Sequence, residues 1–286
     1  MTSPKSRFTL GLLLSTCALT HAATFMAGGP DPAKFLEKPV GSSESWNDIT
    51  WDSTLAAATV NVTATVKVVA LDNTKMSMNS RLHYGGAQTV ASGNNAITDP
   101  EFLTYSGLAQ DENFDTWQAW NKGGEMQVDM VFSESVSVFD LIIFDADSRS
   151  DVAEVRAFSG SGMSPTTLDP NDWNVVIEGD LTSNGTGLSG QITDLQPNSA
   201  APAVSRTPSL LRLTAPANEG NRYRNYTVLR YSGDTTVDSL SLNFLSPGTG
   251  SSHFYFTLRS VAIPEPSGVM TLGLLIFSGF TFRQRR

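Results

Sequence analysis

The sequence predicts an all-β fold: a β-sandwich, jelly-roll-like, flanked by an N-terminal signal peptide and a C-terminal single transmembrane helix. Three observations lead there. Apolar and polar residues alternate with a period of two in many short runs, the signature of half-buried strands. Loops between these runs are rich in Gly, Ser, Asn and Pro. No amphipathic run of twelve residues suggests a helix in the body. These features favour two packed antiparallel sheets.

The N-terminus, MTSPKSRFTLGLLLSTCALTHAATF, has Lys5 and Arg7, then an apolar run from Phe8 to about Leu19, then small residues up to Ala22 and Ala23. Charge, apolar stretch and small residues in that order read as a secretory signal peptide over residues 1–23, cleaved after Ala22 or Ala23. The run is short of the ~20 residues that span a bilayer as a helix. The one cysteine, Cys17, lies within it. The mature chain therefore has no thiol, which excludes disulfides, thiol catalysis and cysteine metal sites.

Residues 24–262 form the predicted body, read as one β domain, although PNSAAPAVSRTPS within the loose stretch Thr182–Ser209 could instead join two halves. The clearest strand is Ala57–Leu71, with Val60, Val62, Ala64, Val66 and Val68 on one face and Asn61, Thr63, Thr65 and Lys67 on the other. Met76–Tyr84 alternates likewise and runs into Gly85-Gly86, a turn signal. Further strands are expected over Glu125–Phe132, Val136–Phe144, Val152–Phe158, Asp172–Ile177, Leu210–Thr214, Tyr226–Tyr231, Val237–Phe244 and His253–Val261. Leu141–Phe144 is continuously apolar, as a central strand buried on both faces should be.

The chain carries 19 Lys+Arg against 28 Asp+Glu, a net charge of −9. Loss of Lys5, Arg7, Arg283, Arg285 and Arg286 would leave 14 basic residues and a net charge near −14. So acidic a surface repels nucleic acid and favours divalent cations. Arg212, Arg222 and Arg224, near Tyr223 and Tyr226, are expected to pair with the protein's own carboxylates rather than with phosphate.

Chemistry has two candidate locations. Asp145, Asp147 and Asp151 follow the apolar strand and could offer oxygen ligands to Ca²⁺, or they are turn residues capping local backbone. The acidic QDENFDTWQAW places Asp111, Glu112 and Asp115 beside Trp117 and Trp120. Carboxylates next to stacking rings suit a sugar groove, either as a binding module or as a glycan-active enzyme; alternatively these aromatics are core. The mature chain's histidines, His83 and His253, both lie in strand patterns. No catalytic motif is found, so the protein is not expected to be an enzyme, and apart from possible Ca²⁺ no cofactor is expected.

At the C-terminus, Pro264 and Pro266 cannot extend a strand ladder and hold an extended segment around Glu265. Ser267–Phe282 follows, an apolar stretch of roughly 24 Å as a helix, able to span with some bilayer thinning. Arg283, Arg285 and Arg286 would hold its end on the cytoplasmic side. Residues 263–286 are thus a membrane tail.

This order of Pro-Glu-Pro, hydrophobic helix and terminal arginines resembles the PEP-CTERM sorting tail of exported bacterial proteins, over under a tenth of the chain. A lipid-anchor signal would not normally end in Arg-Gln-Arg-Arg, and an unprocessed anchor is the simpler alternative. The resemblance implies an exosortase, a membrane cysteine protease or transpeptidase, as processing partner near Pro264-Glu265-Pro266, and delivery from the bacterial membrane to the cell surface or extracellular polymer matrix. The body, with VFDLIIFDADS and its closing FYFTLRSVAIPEP, more loosely resembles the jelly-roll or Ig-like ectodomains that precede such tails. The expected role is structural or adhesive, with extracellular polysaccharide as a possible partner. The alternatives are a carbohydrate-binding module and a glycan-active enzyme.

Overall fold

Alternation in the sequence becomes two antiparallel sheets whose apolar faces meet. A computed structural model describes residues 23–29, 36–38, 40–53, 58–71, 80–89, 99–108, 113–122, 124–144, 146, 151–160, 164–180, 203–214, 225–246 and 251–261. The described strands lie within one compact unit, Ala23–Val261. The expected cleavage residue Ala22, the Pro-Glu-Pro segment, the apolar tail and the terminal arginines lie outside the described residues. Among the described residues, no helix is long and apolar enough to cross a membrane.

The strands begin with β1 (Ala27–Gly28), β2 (Leu36–Lys38), β3 (Ser43–Ser53), β4 (Ala58–Leu71) and β5 (Ser80–Thr89). A seven-residue helix, α1 (Pro100–Ser106), comes next. Then follow β6 (Asn113–Lys122), β7 (Gly124–Val136), β8 (Phe139–Phe144), β9 (Val152–Ser159), β10 (Thr166–Thr167) and β11 (Trp173–Asp180). The last five are β12 (Ala203–Thr207), β13 (Leu210–Thr214), β14 (Asn225–Tyr231), β15 (Val237–Leu245) and β16 (Ser251–Ser260).

The first sheet has the order β1-β3-β4-β7-β15-β9-β13-β12, with β10 also paired to β9. The second runs β11-β14-β8-β16-β6-β5-β2. From β7 to β9, and again from β14 to β16, successive strands alternate between the sheets. Each such strand sends one face to a shared core. Val60, Val62, Val128, Met130, Val155, Leu240 and Leu242 supply the first sheet's side, and Trp117, Leu141, Ile143, Leu229 and Leu258 the second's. Rings interlock between them: Phe244 lies 4.9 Å from Phe254, and Trp51 stands edge-on to Phe139 at 5.6 Å. Each such apolar side chain contributes about 1.5–3 kcal/mol by leaving water.

β8 lies between β14 and β16 and is buried along its whole length, as its apolar run predicts. Its outward side chains are covered by α1. Asp99 caps that helix by accepting from the Glu101 N–H at 3.3 Å, and Gly107 ends it in the left-handed conformation. Phe102 then packs edge-on against Tyr226 and Phe144, building a second, outer apolar cluster.

Several expectations need correction. β5 continues through Gly85-Gly86, which is absorbed as a register shift between Tyr84 and Ala87 instead of a turn. Val136–Phe144 is two strands, because Val136 ends β7 and the chain turns before Phe139. Ala203–Thr207, within the loose stretch Thr182–Ser209 where no strand is expected, is β12, paired with β13. β3, β6 and α1 lie outside the expected elements: their residues are polar and aromatic with little simple alternation.

The two ends of the body meet. Thr24 N–H donates to Ser260 Oγ at 2.7 Å and Ser260 N–H donates to the Thr24 carbonyl at 2.8 Å. Three residues on, Ala27 and then Gly28 pair with Thr50 and Ile49 of the first sheet. The segment 24–28 therefore ties both sheets together. Gly28, at φ +89, permits this: a Cβ there would overlap the Asp48 carbonyl oxygen.

Candidate functional site

Trp117 does not offer a stacking face. It is 1 % exposed in the inter-sheet core, 6.0 Å from Trp46, because alternation along β6 turns it inward with Ala119. Trp120 pairs with His253 of β16 and Arg81 of β5, and its side chain lies outside the described residues. Asp115 accepts the Gly28 N–H at 3.1 Å, a structural task at the sheet junction. Asp111 and Glu112 lie outside the described residues. At Trp117 the core alternative holds in place of the groove, and Asp115 is likewise drawn into the body's packing.

Of the expected calcium ligands, Asp151 is fully buried and already engaged with its surroundings. Asp145 and Asp147 lie outside the described residues. No group of three or more His, Cys, Asp or Glu that could hold a metal ion occurs among the described residues. Ala23, on the expected cleavage boundary, immediately precedes the Thr24–Ser260 pairing.

Two charged constellations that the sequence did not single out emerge from the register. The first is on the outer face of the second sheet, where Arg230 of β14 and Arg259 of β16 both pair opposite Asp140 of β8. Asp140 is 0 % exposed. Arg230 forks onto it, Nε to Oδ1 at 2.7 Å and a terminal nitrogen to Oδ2 at 2.9 Å. The Tyr105 hydroxyl of α1 donates to Oδ2 at 2.6 Å, and Arg259 approaches it at 3.7 Å. Arg259 also lies over the Tyr105 ring at 4.4 Å and donates to the Ser106 carbonyl. Burial, with the Asp140 carboxylate adding to it, pushes the Tyr105 hydroxyl far above the usual phenol range. The hydrogen bond to Asp140 raises the Arg230 guanidinium further. This cluster clamps α1 to the sheet, a structural role.

The second is the outer face of the first sheet. One in-register row runs Lys67 (β4), Gln127 (β7), Asn243 (β15), Glu154 (β9) and Arg212 (β13). A neighbouring row runs Ser45, Thr65, Asp129, Ser241 and Arg156. Strands roughly 4.8 Å apart make each row about 19 Å long. The side chains hold one another: the Asn243 amide donates to Glu125 at 2.7 Å and to Glu154 at 3.3 Å. Arg212 binds Glu154 through Nε at 3.0 Å and through a terminal nitrogen, while Arg156 approaches the other oxygen at 3.5 Å. Gln127 donates to Asp129 at 2.8 Å. Pairing of Arg212 with a carboxylate is as the sequence suggested. The Asn243 amide oxygen, buried at the centre, has no hydrogen-bond partner among the described residues. In the next row Val131, 54 % exposed, and the half-buried Phe158 flank Ser239.

No protein-family model matches the chain, and neither a curated protein nor a solved structure is found to match it.

Proposed function

We propose that the chain is an exported bacterial surface or extracellular-matrix protein with a structural or adhesive role. In this reading residues 1–23 are a signal peptide, residues 24–262 a jelly-roll-like β-sandwich ectodomain, and residues 263–286 a sorting tail that crosses the membrane as a single helix. The observation that carries it is the ordered C-terminus: Pro264-Glu265-Pro266, an apolar stretch, then Arg283, Arg285 and Arg286. Repeated alternation of strands between the sheets supports the jelly-roll-like description. A cysteine-free body whose ends are pinned together suits a domain that must keep its fold outside the cell without disulfides.

An exosortase-type enzyme is the partner that acts near Glu265. Carbohydrate binding is the second reading, now favoured by the polar outer face of the first sheet rather than by the tryptophans. The glycan-active enzyme loses support, since Asp115 holds a backbone N–H and Trp117 is core.

The test is the intact mass of the exported protein from a host carrying an exosortase, with and without Glu265→Ala. Loss of the residues beyond Pro-Glu-Pro, dependent on the enzyme and on Glu265, is expected. Retention of Arg286 in every preparation would make the tail an ordinary anchor and overturn the sorting reading.

A further inference from the structure

We infer that the outer face of the first sheet is a binding surface for a neutral polysaccharide chain. The inference rests on the proposed surface or matrix location and names the ligand of the adhesive body. Its chemistry is that of the two rows across β4, β7, β15, β9 and β13.

Three features select this ligand. The face is charge-balanced on an acidic protein: Lys67, Arg156 and Arg212 stand against Glu125, Asp129 and Glu154. A nucleic acid needs an excess of positive charge, and a polyanionic glycan gains little here. A protein partner is disfavoured because interface cores are depleted of charged residues, whereas Glu154 and Asn243 occupy the centre of this face. What the rows do offer is donors and acceptors side by side, as a chain of hydroxyl groups requires.

The second feature is pre-organisation. Glu154 is held by Arg212, Arg156 and Asn243, so the polar array loses little conformational freedom when a ligand arrives. Valences remain for that ligand. Arg212 is 45 % exposed at its side chain and has five donors, only part of which Glu154 takes up. The Asn243 oxygen is itself buried, so the ligand meets Arg212 and the half-buried Gln127 and Asp129 around it. The third feature is the adjoining apolar row. Val131 and Phe158 present hydrocarbon beside the polar rows, matching a sugar ring whose CH face is apolar and whose rim is polar.

The experiment is affinity electrophoresis of the full chain, in mild detergent, through gels containing dextran, galactomannan or hydroxyethyl cellulose, with alginate as the polyanionic comparison. At least one neutral polymer should retard the protein. Gln127→Ala and Val131→Asp should each weaken that retardation about fivefold. Glu178→Ala, on β11 of the other sheet, should leave it unchanged, and urea midpoints should show all three variants folded. No retardation by any neutral polymer overturns the inference. So does retardation by alginate alone, or binding that survives the Gln127→Ala/Val131→Asp pair. Concentration-dependent dimerisation abolished by Val131→Asp, without polymer binding, would assign the face to a second copy instead and equally overturn it. The sorting reading stands or falls separately, on the Glu265→Ala mass comparison.

Discussion

Replacing Asp140 by asparagine removes one negative charge from the clamp beneath α1 while keeping the side chain's shape. Asp140 is 0 % exposed and receives the Arg230 fork and the Tyr105 hydroxyl, with Arg259 at 3.7 Å. The two arginines respond differently. The Arg230 side chain is 31 % exposed and can turn toward water, but that of Arg259 is 11 % exposed and would be left as a buried cation between the Tyr105 and Phe25 rings. Removing one partner of a buried pair in this way costs about 3–5 kcal/mol, a large share of the roughly 5–15 kcal/mol that holds an ordinary domain. With a urea m-value of about 2–3 kcal/mol/M, the midpoint should fall by about 1–2.5 M at unchanged slope. Arg259→Met should cost less, about 1–2 kcal/mol, because Asp140 keeps its Arg230 fork. A loss below about 1 kcal/mol for Asp140→Asn, or a greater loss for Arg259→Met, would refute the clamp.

Two further outcomes follow from the geometry. Gly28→Ala combines a positive φ with overlap onto the Asp48 carbonyl, and should cost at least about 2 kcal/mol in urea unfolding. Gly41→Ala, at φ +80 in open space, should cost only about 1 kcal/mol, so equal losses would deny the overlap its role. Stability should also fall in alkali. Burial, then the Asp172 and Asp234 carboxylates, pushes the Tyr231 hydroxyl up to about 12, and Tyr105 lies higher still. The folded state keeps both protons where the unfolded chain, with ordinary tyrosines near 10, releases them. Stability is therefore intact below about pH 10 and declines as the pH climbs through 12, and a Tyr105→Phe variant should show a shallower decline. An identical slope in that variant would contradict the shift.

Local patterning is enough to fix the β class and most strand positions. Ala58–Leu71 is legible because its burial follows a period of two, and Val152–Ser159 and Leu210–Thr214 because Ala153, Val155 and Ala157, and Leu211 and Leu213, alternate toward the core. The doubly buried β8 was legible from its unbroken apolar run. The paired glycines at 85–86 misled because a bulge and a turn ask for the same residue. β6 escaped because its aromatic residues serve two cores, Phe114 the outer and Trp117 the inner, and α1 because seven residues are too few to show a helical period. The tail motif is equally a property of local order and owes nothing to the fold.

Which charges meet depends on how the strands assemble. Arg230, Asp140 and Arg259 are about 90 and 120 residues apart in the chain, and they become neighbours through the β14-β8-β16 register. The row from Lys67 to Arg212 likewise exists only because five strands pair in that order. For the same reason Trp117, next to acidic residues in the sequence, belongs to the core. Alternation sets which side of a strand a residue occupies, but whether that side faces another sheet, a helix or water depends on which strands the chain brings together.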